Sequence, residues 1–178
     1  MRLLAISGSL RAASTNTALL QALARHALPR AQVTIYDGLG SLPIFSPDIE
    51  GAQTPPAVVA FATAVGAADG LVIACPEYVH ALPGGFKNAL DWLVPRYELI
   101  GKPIALLHAS SRGDEVLASL RRVLSTVSDG FREDIFVRFD LRHFAPEEVA
   151  DFLHQPRQAE QLYDFLDRFL AVIATHRP

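Results

Sequence analysis

LLAISGSLRAASTNTALL, residues 3–20, decides how the chain is read. An aliphatic run, Leu3–Ile6, stops at Ser7-Gly8-Ser9, and apolar residues then recur with helical spacing at Leu19, Leu23 and Ala27. The pattern is strand, polar loop, helix, with the helix expected to begin near Thr15 or Asn16. Four more short aliphatic runs follow: Val33–Tyr36, Leu71–Ala74, Ile104–His108 and Ile135–Phe139. Most show little polar alternation, as expected of parallel strands covered on both faces. Helical segments separate them. Phe86, Leu90 and Leu93 mark one apolar face, and Leu162, Phe165, Leu166, Phe169 and Ile173 mark the last, with Pro156 at its first turn.

Five strands alternating with helices predict a doubly wound α/β sheet of flavodoxin-like order 2-1-3-4-5, with residues 1–178 as a single domain. Ligands of such sheets bind at the carboxyl edge, near the point where strand order reverses. The relevant loops are Ser7–Thr17, Cys75–Gly85 and Ala109–Asp114. The connection from Asp37 to Pro56, rich in glycine and proline, is too long for an ordinary turn. It is expected to lie along the sheet edge and to form a subunit contact or a pocket wall.

Half of the 178 residues are hydrophobic, which suits one sizeable core, and the net charge of −3 carries no basic stripe for nucleic acid. No apolar segment approaches the roughly 20 residues that span a bilayer. The single cysteine, Cys75, fits a reducing compartment, so a cytoplasmic protein is expected.

The first loop is built for an anion. A helix starting at Thr15 or Asn16 directs unpaired backbone N–H groups at Gly8-Ser9-Leu10. Ser9, Ser14, Asn16 and Thr17 add neutral donors and Arg11 adds charge, a set that suits a phosphomonoester. The loop lacks G-x-x-x-x-G-K-[ST] and G-x-G-x-x-G, which argues against triphosphate hydrolysis and a dinucleotide fingerprint. A phosphatase of this fold needs a loop cysteine and a phosphorylatable receiver needs aspartates at strand ends. Ser7 and Cys75 occupy those strand ends instead. Binding a phosphate, rather than cleaving it, is what remains.

Residues 76–94 read PEYVHALPGGFKNALDWLV. Pro76 and Pro83 stiffen this loop, and Gly84-Gly85 lets a helix begin at once. G-S-L-R-x-x-S-x-N after the first strand, with P-E-Y and then P-G-x-x-K-N-A-x-D-W after the third, resembles the NAD(P)H-dependent FMN reductase family. LPIFSPDIEG and ADGLVIACPEY resemble it too, and the likeness runs from Met1 to about Val127. It implies a flavodoxin-like fold that binds FMN non-covalently and forms homodimers or homotetramers. By motif position, Ser9, Arg11, Ser14, Asn16 and Thr17 would hold the phosphate and ribityl chain. Pro76, Glu77 and Tyr78 would line the isoalloxazine, and Val79 and His80 its edge, where many members carry asparagine in place of Val79. His80 is a possible substrate contact or a loop cap. Lys87-Asn88 and Asp91-Trp92 read as structural, through a salt bridge, capping contacts and packing. Cys75, Glu77 and His80 make too weak a set for a metal.

In the third loop, Ser110, Ser111 and Gly113 can offer hydrogen bonds to the pyrimidine side of the flavin, while Asp114-Glu115-Val116 departs from the glycines common in the family. Arg112 could stabilise charge on reduced flavin or simply face solvent. The resemblance implies hydride transfer from NADH or NADPH through FMN to a small-molecule acceptor: a free flavin, a quinone, an azo compound or a chromate-type oxyanion. No protein acid or base is needed for that transfer. A flavodoxin-type electron carrier or an FMN-binding sensor is the alternative, although carriers that dock on basic partners are much more acidic than this chain.

Overall fold

The computed structural model describes residues 1–176. Strands β1 (Arg2–Ser7), β2 (Gln32–Tyr36), β3 (Gly70–Ala74), β4 (Ile104–His108) and β5 (Phe131–Arg138) form one parallel sheet in the order β2-β1-β3-β4-β5. Their period-two alternation sends successive side chains to opposite faces. Leu3, Ala5, Val72 and Ala74 join a core closed by α1 (Thr15–Ala27), α5 (Val149–Leu153) and α6 (Pro156–His176). Leu4, Ile6, Leu71 and Ile73 join a second core under α2 (Pro56–Ala67), α3 (Gly84–Leu93) and α4 (Asp114–Val127). Every residue of β3 and β4 is buried, which explains the aliphatic runs Leu71–Ala74 and Ile104–Leu107.

The strand expected at Ile135–Phe139 begins earlier, at Phe131. Arg132, Glu133 and Asp134 are polar because β5 is an edge strand, and its pairing with β4 is irregular between Ile104 and Leu106. Helix α6 buries Leu162, Phe165, Leu166, Phe169 and Ile173, the face read from the spacing.

The long connection passes through three short 3₁₀ turns, Gly38–Ser41, Pro47–Ile49 and Gly51–Gln53. It is strapped onto α3. Asn88 Nδ2 and Trp92 Nε1 donate to the Pro43 carbonyl at 2.9 and 2.7 Å, and Phe45 N–H donates to Asn88 Oδ1 at 2.8 Å. Phe45 meets Trp92 edge-on. Asn88 is therefore a buried clasp, and Lys87 pairs with Asp91 one helical turn away.

Candidate functional site

Registering β1 against β3, with Ser7 opposite Ala74, sets the first two loops side by side at the carboxyl edge. Gly8 N–H extends the ladder to the Ala74 carbonyl at 2.8 Å. The Ser14 hydroxyl accepts from Thr17 N–H and caps α1, so its oxygen serves the helix first. Thr17 Oγ1 donates to Ser7 Oγ at 3.0 Å, and Ser9 Oγ accepts from Arg11 N–H. The first-turn amides of Thr15 and Asn16 have no intrahelical acceptor. Asn16 is buried and its Oδ1 has no partner, an orphaned acceptor at the mouth of the helix.

A cleft of about 500 Å³ opens above these loops, a size ordinary for a cofactor. Of the residues expected at the site, Arg11, Asn16, Pro76, Glu77, Ser110 and Gly113 line it. Ser9 and Thr17 face a neighbouring hollow of about 300 Å³, closed by Leu39 and Gly40 of the strap, and Arg11 borders both spaces. Tyr78 and Ala81 exchange backbone hydrogen bonds at 3.1 Å around a two-residue turn. The turn's centre is Val79 and His80, both with positive φ (51° and 59°), and Val79 is 94% exposed. These residues rise beside the cleft rather than lining it.

Glu77 has a definite structural task. Gly113, the residue before α4, sits in the left-handed region at φ 94° and has no side chain with which to cap the helix. Glu77 Oε2 instead accepts from Val116 N–H at 3.0 Å, so a carboxylate from the second loop caps a helix of the third. His80 Nδ1 lies 3.0 Å from Glu115 Oε2 and adds a second tie between the same segments.

The third loop is pinned from below. His108, the last residue of β4, is 2% exposed, and its Nε2 donates to the Arg112 carbonyl at 2.6 Å. Burial pushes its pKa down, opposed in part by that hydrogen bond. Ser111 does not line the cleft: its carbonyl accepts from Arg138. Cys75 is buried, and burial pushes its thiol up to about 12, so it is no nucleophile at neutral pH.

The residues that sequence reading missed are His108 and the wall formed by Leu141, Arg142, Phe144 and Pro146. A polar residue ending an otherwise aliphatic buried strand was the available signal for His108. Nothing in the local sequence marks Arg142. No carboxylate pairs with Arg11 or Arg112 among the described residues, so the cleft presents two uncompensated guanidinium groups.

Comparison with known proteins agrees with this architecture. The flavoenzyme FerB, an NAD(P)H:(acceptor) oxidoreductase from Paracoccus denitrificans, superposes with a TM-score of 0.78 at 26% identity over 98% of each chain. An NAD(P)H-dependent FMN reductase of Pseudomonas aeruginosa is 38% identical over 113 residues, covering 62% of this chain and 60% of that protein. A quinone reductase of Escherichia coli K12 is 36% identical over 116 residues, 64% of this chain and 61% of that protein. The chain thus spans about three-fifths of the length of these two relatives. Residues 1–131, carrying the first two loops and the third, match the family described as NADPH-dependent FMN reductase. The chain belongs to the NADPH-dependent FMN reductase family.

Proposed function

We propose that the protein is an NAD(P)H-dependent oxidoreductase that holds FMN in this cleft. The observation that carries the reading is the chemistry of the donors at one end. Among the described residues Arg11 has no carboxylate partner, and the amides of Thr15 and Asn16 at the start of α1 have no intrahelical acceptor, while the orphaned Oδ1 of buried Asn16 is an acceptor suited to a ligand hydroxyl beside them. Such a set fits a phosphate that is bound and not cleaved. The helix terminus contributes about 0.3–1 kcal/mol and each charge-assisted hydrogen bond about 1.5–3 kcal/mol. Pro76, Glu77, Ser110 and Gly113 then border the flat ring. Ser9, Ser14 and Thr17 shape the loop around the phosphate, and Tyr78, Val79, His80 and Ser111 frame the ring's edge. The names of the relatives support the same assignment.

FMN supplies the hydride chemistry; the protein supplies orientation and electrostatics. Glu77 and His108 keep the second and third loops in register, so the ring sits on a prearranged floor. Both substrates use the one open face. NADH or NADPH leaves before the acceptor enters, which makes the kinetics ping-pong. The acceptor is a small planar or oxyanionic molecule: a free flavin, quinone, azo compound or chromate. Ile44 on the strap, with Val94 and Tyr97 just after α3, is largely exposed, which supports burial against a second copy in a dimer or tetramer. The test is a visible spectrum of the purified protein, then anaerobic reduction by each nicotinamide. Full FMN occupancy with no reduction by either nicotinamide would defeat the enzymatic reading and favour a carrier or sensor.

A further inference from the structure

The family match stops at residue 131, yet one wall of the cleft is built after it, by Leu141, Arg142, Phe144 and Pro146. Leu141 N–H reaches the Ala109 carbonyl at 3.4 Å and seats this segment beside the end of β4. Phe144 packs against Phe152 of α5 with ring centroids 4.6 Å apart. Arg142 is the polar side chain of that wall. Its Nε and Nη2 donate as a fork to Asp140 at 2.7 and 2.8 Å, and the Asp140 carboxyl is held well below its usual range by that pair and by the Ser111 hydroxyl. Nη1 keeps two N–H groups that the fork does not use. A guanidinium pinned along one edge and open along the other surrenders little further freedom when a ligand arrives.

Position along the cleft decides what Arg142 meets. Strands lie about 4.8 Å apart, so the end of β5 stands roughly 14 Å from the end of β1. A ligand whose phosphate rests on Arg11 reaches Arg142 with its opposite end. Asp140 offsets the charge of Arg142, so Arg142, unlike Arg11 and Arg112 with no carboxylate partner among the described residues, favours neutral hydrogen-bond acceptors over a second phosphate. In a flavin these are the ring carbonyl oxygens.

We propose that Arg142 is a cofactor-binding residue that donates hydrogen bonds to the carbonyl edge of the flavin ring, at the end of the cleft away from the phosphate. This rests on the assignment of FMN to the cleft. The experiment titrates flavin-stripped protein with FMN and with riboflavin, which has the ring and no phosphate, following flavin fluorescence. Arg142→Met is expected to weaken both ligands by the same factor, about ten-fold or more. Arg11→Met is expected to weaken FMN and leave riboflavin unchanged. Arg142→Lys keeps an ion pair with Asp140 but loses the fork, and is expected to lose most of the affinity for both ligands with the thermal midpoint unchanged. Unaltered binding in both Arg142 variants, or a loss confined to FMN, overturns the proposal. Wild-type protein that binds neither flavin overturns the FMN assignment itself, and the proposal with it.

Discussion

Replacing Gly113 with alanine should destabilise the molecule through two separate causes, backbone strain and a steric clash. The residue holds φ at 94°, which costs an L-residue about 1–2 kcal/mol. A Cβ there would lie 2.8 Å from His108 Nε2 and 3.0 Å from Cε1, so the imidazole must move. His108 is buried and tied to Arg112 through that same nitrogen, and losing the bond costs roughly 0.5–1.5 kcal/mol more. The sum is about 1.5–3.5 kcal/mol. At about 2–4 °C per kcal/mol for a chain of this size, the melting midpoint should fall by roughly 3–14 °C. Two companions calibrate the argument. Gly51 also has positive φ (80°) but open space around it, so Gly51→Ala should show the backbone strain alone, about 1 kcal/mol. Gly84 opens α3 with nothing near its absent Cβ, so Gly84→Ala should be neutral or gain up to about 1 kcal/mol. Differential scanning fluorimetry on the three variants gives the ranking. Gly113→Ala melting within a degree of wild type, or no worse than Gly51→Ala, would refute the steric part of the reasoning.

Three other perturbations address different parts of the structure. Val79→Asn puts a residue that tolerates the left-handed region where a β-branched one now stands exposed, and should raise stability by about 1 kcal/mol in a urea titration; a loss would show that Val79 is not strained. Asn88→Ala leaves the Phe45 N–H without its acceptor and should cost about 1–3 kcal/mol, with limited proteolysis newly cutting between residues 37 and 55; an uncut strap would show that Trp92 suffices. Burial lowers the His108 pKa, so on acidification the unfolded chain binds its proton first, near pH 6.5. The His108 contribution is therefore complete above that pH and is lost as pH falls through the depressed folded value. His108→Gln, which can still donate to the Arg112 carbonyl, should flatten the decline between pH 7.5 and 5.5; an identical decline would assign it to other groups.

The fold was legible because burial on both faces leaves a strong mark. Leu71–Ala74 of β3 and Ile104–Leu107 of β4 are wholly aliphatic, and α6 shows its whole apolar face in five residues. The start of β5 was not legible, since an edge strand carrying Arg132, Glu133 and Asp134 has the composition of a loop. Within the site, Arg11, Asn16, Pro76 and Glu77 stand in short motifs whose spacing is set by one loop each. Asn88 read as structural, but no local pattern shows that it clasps a segment 43 residues earlier. Arg142 is hidden for the same reason: its place is decided by the packing of the segment after β5, not by its neighbours in sequence.

The Glu77 cap on α4 ties the sequence of the second loop to the integrity of a helix in the third. A chimera that imports the second loop from a relative, with another residue at this position, strips the Val116 amide of its acceptor and frays a helix it never touched. Amide exchange at Val116 would register that damage before any assay of turnover. A library that varies residues 76–80 should therefore hold Glu77 fixed, whereas position 116 supplies only a backbone amide, which every residue except proline retains.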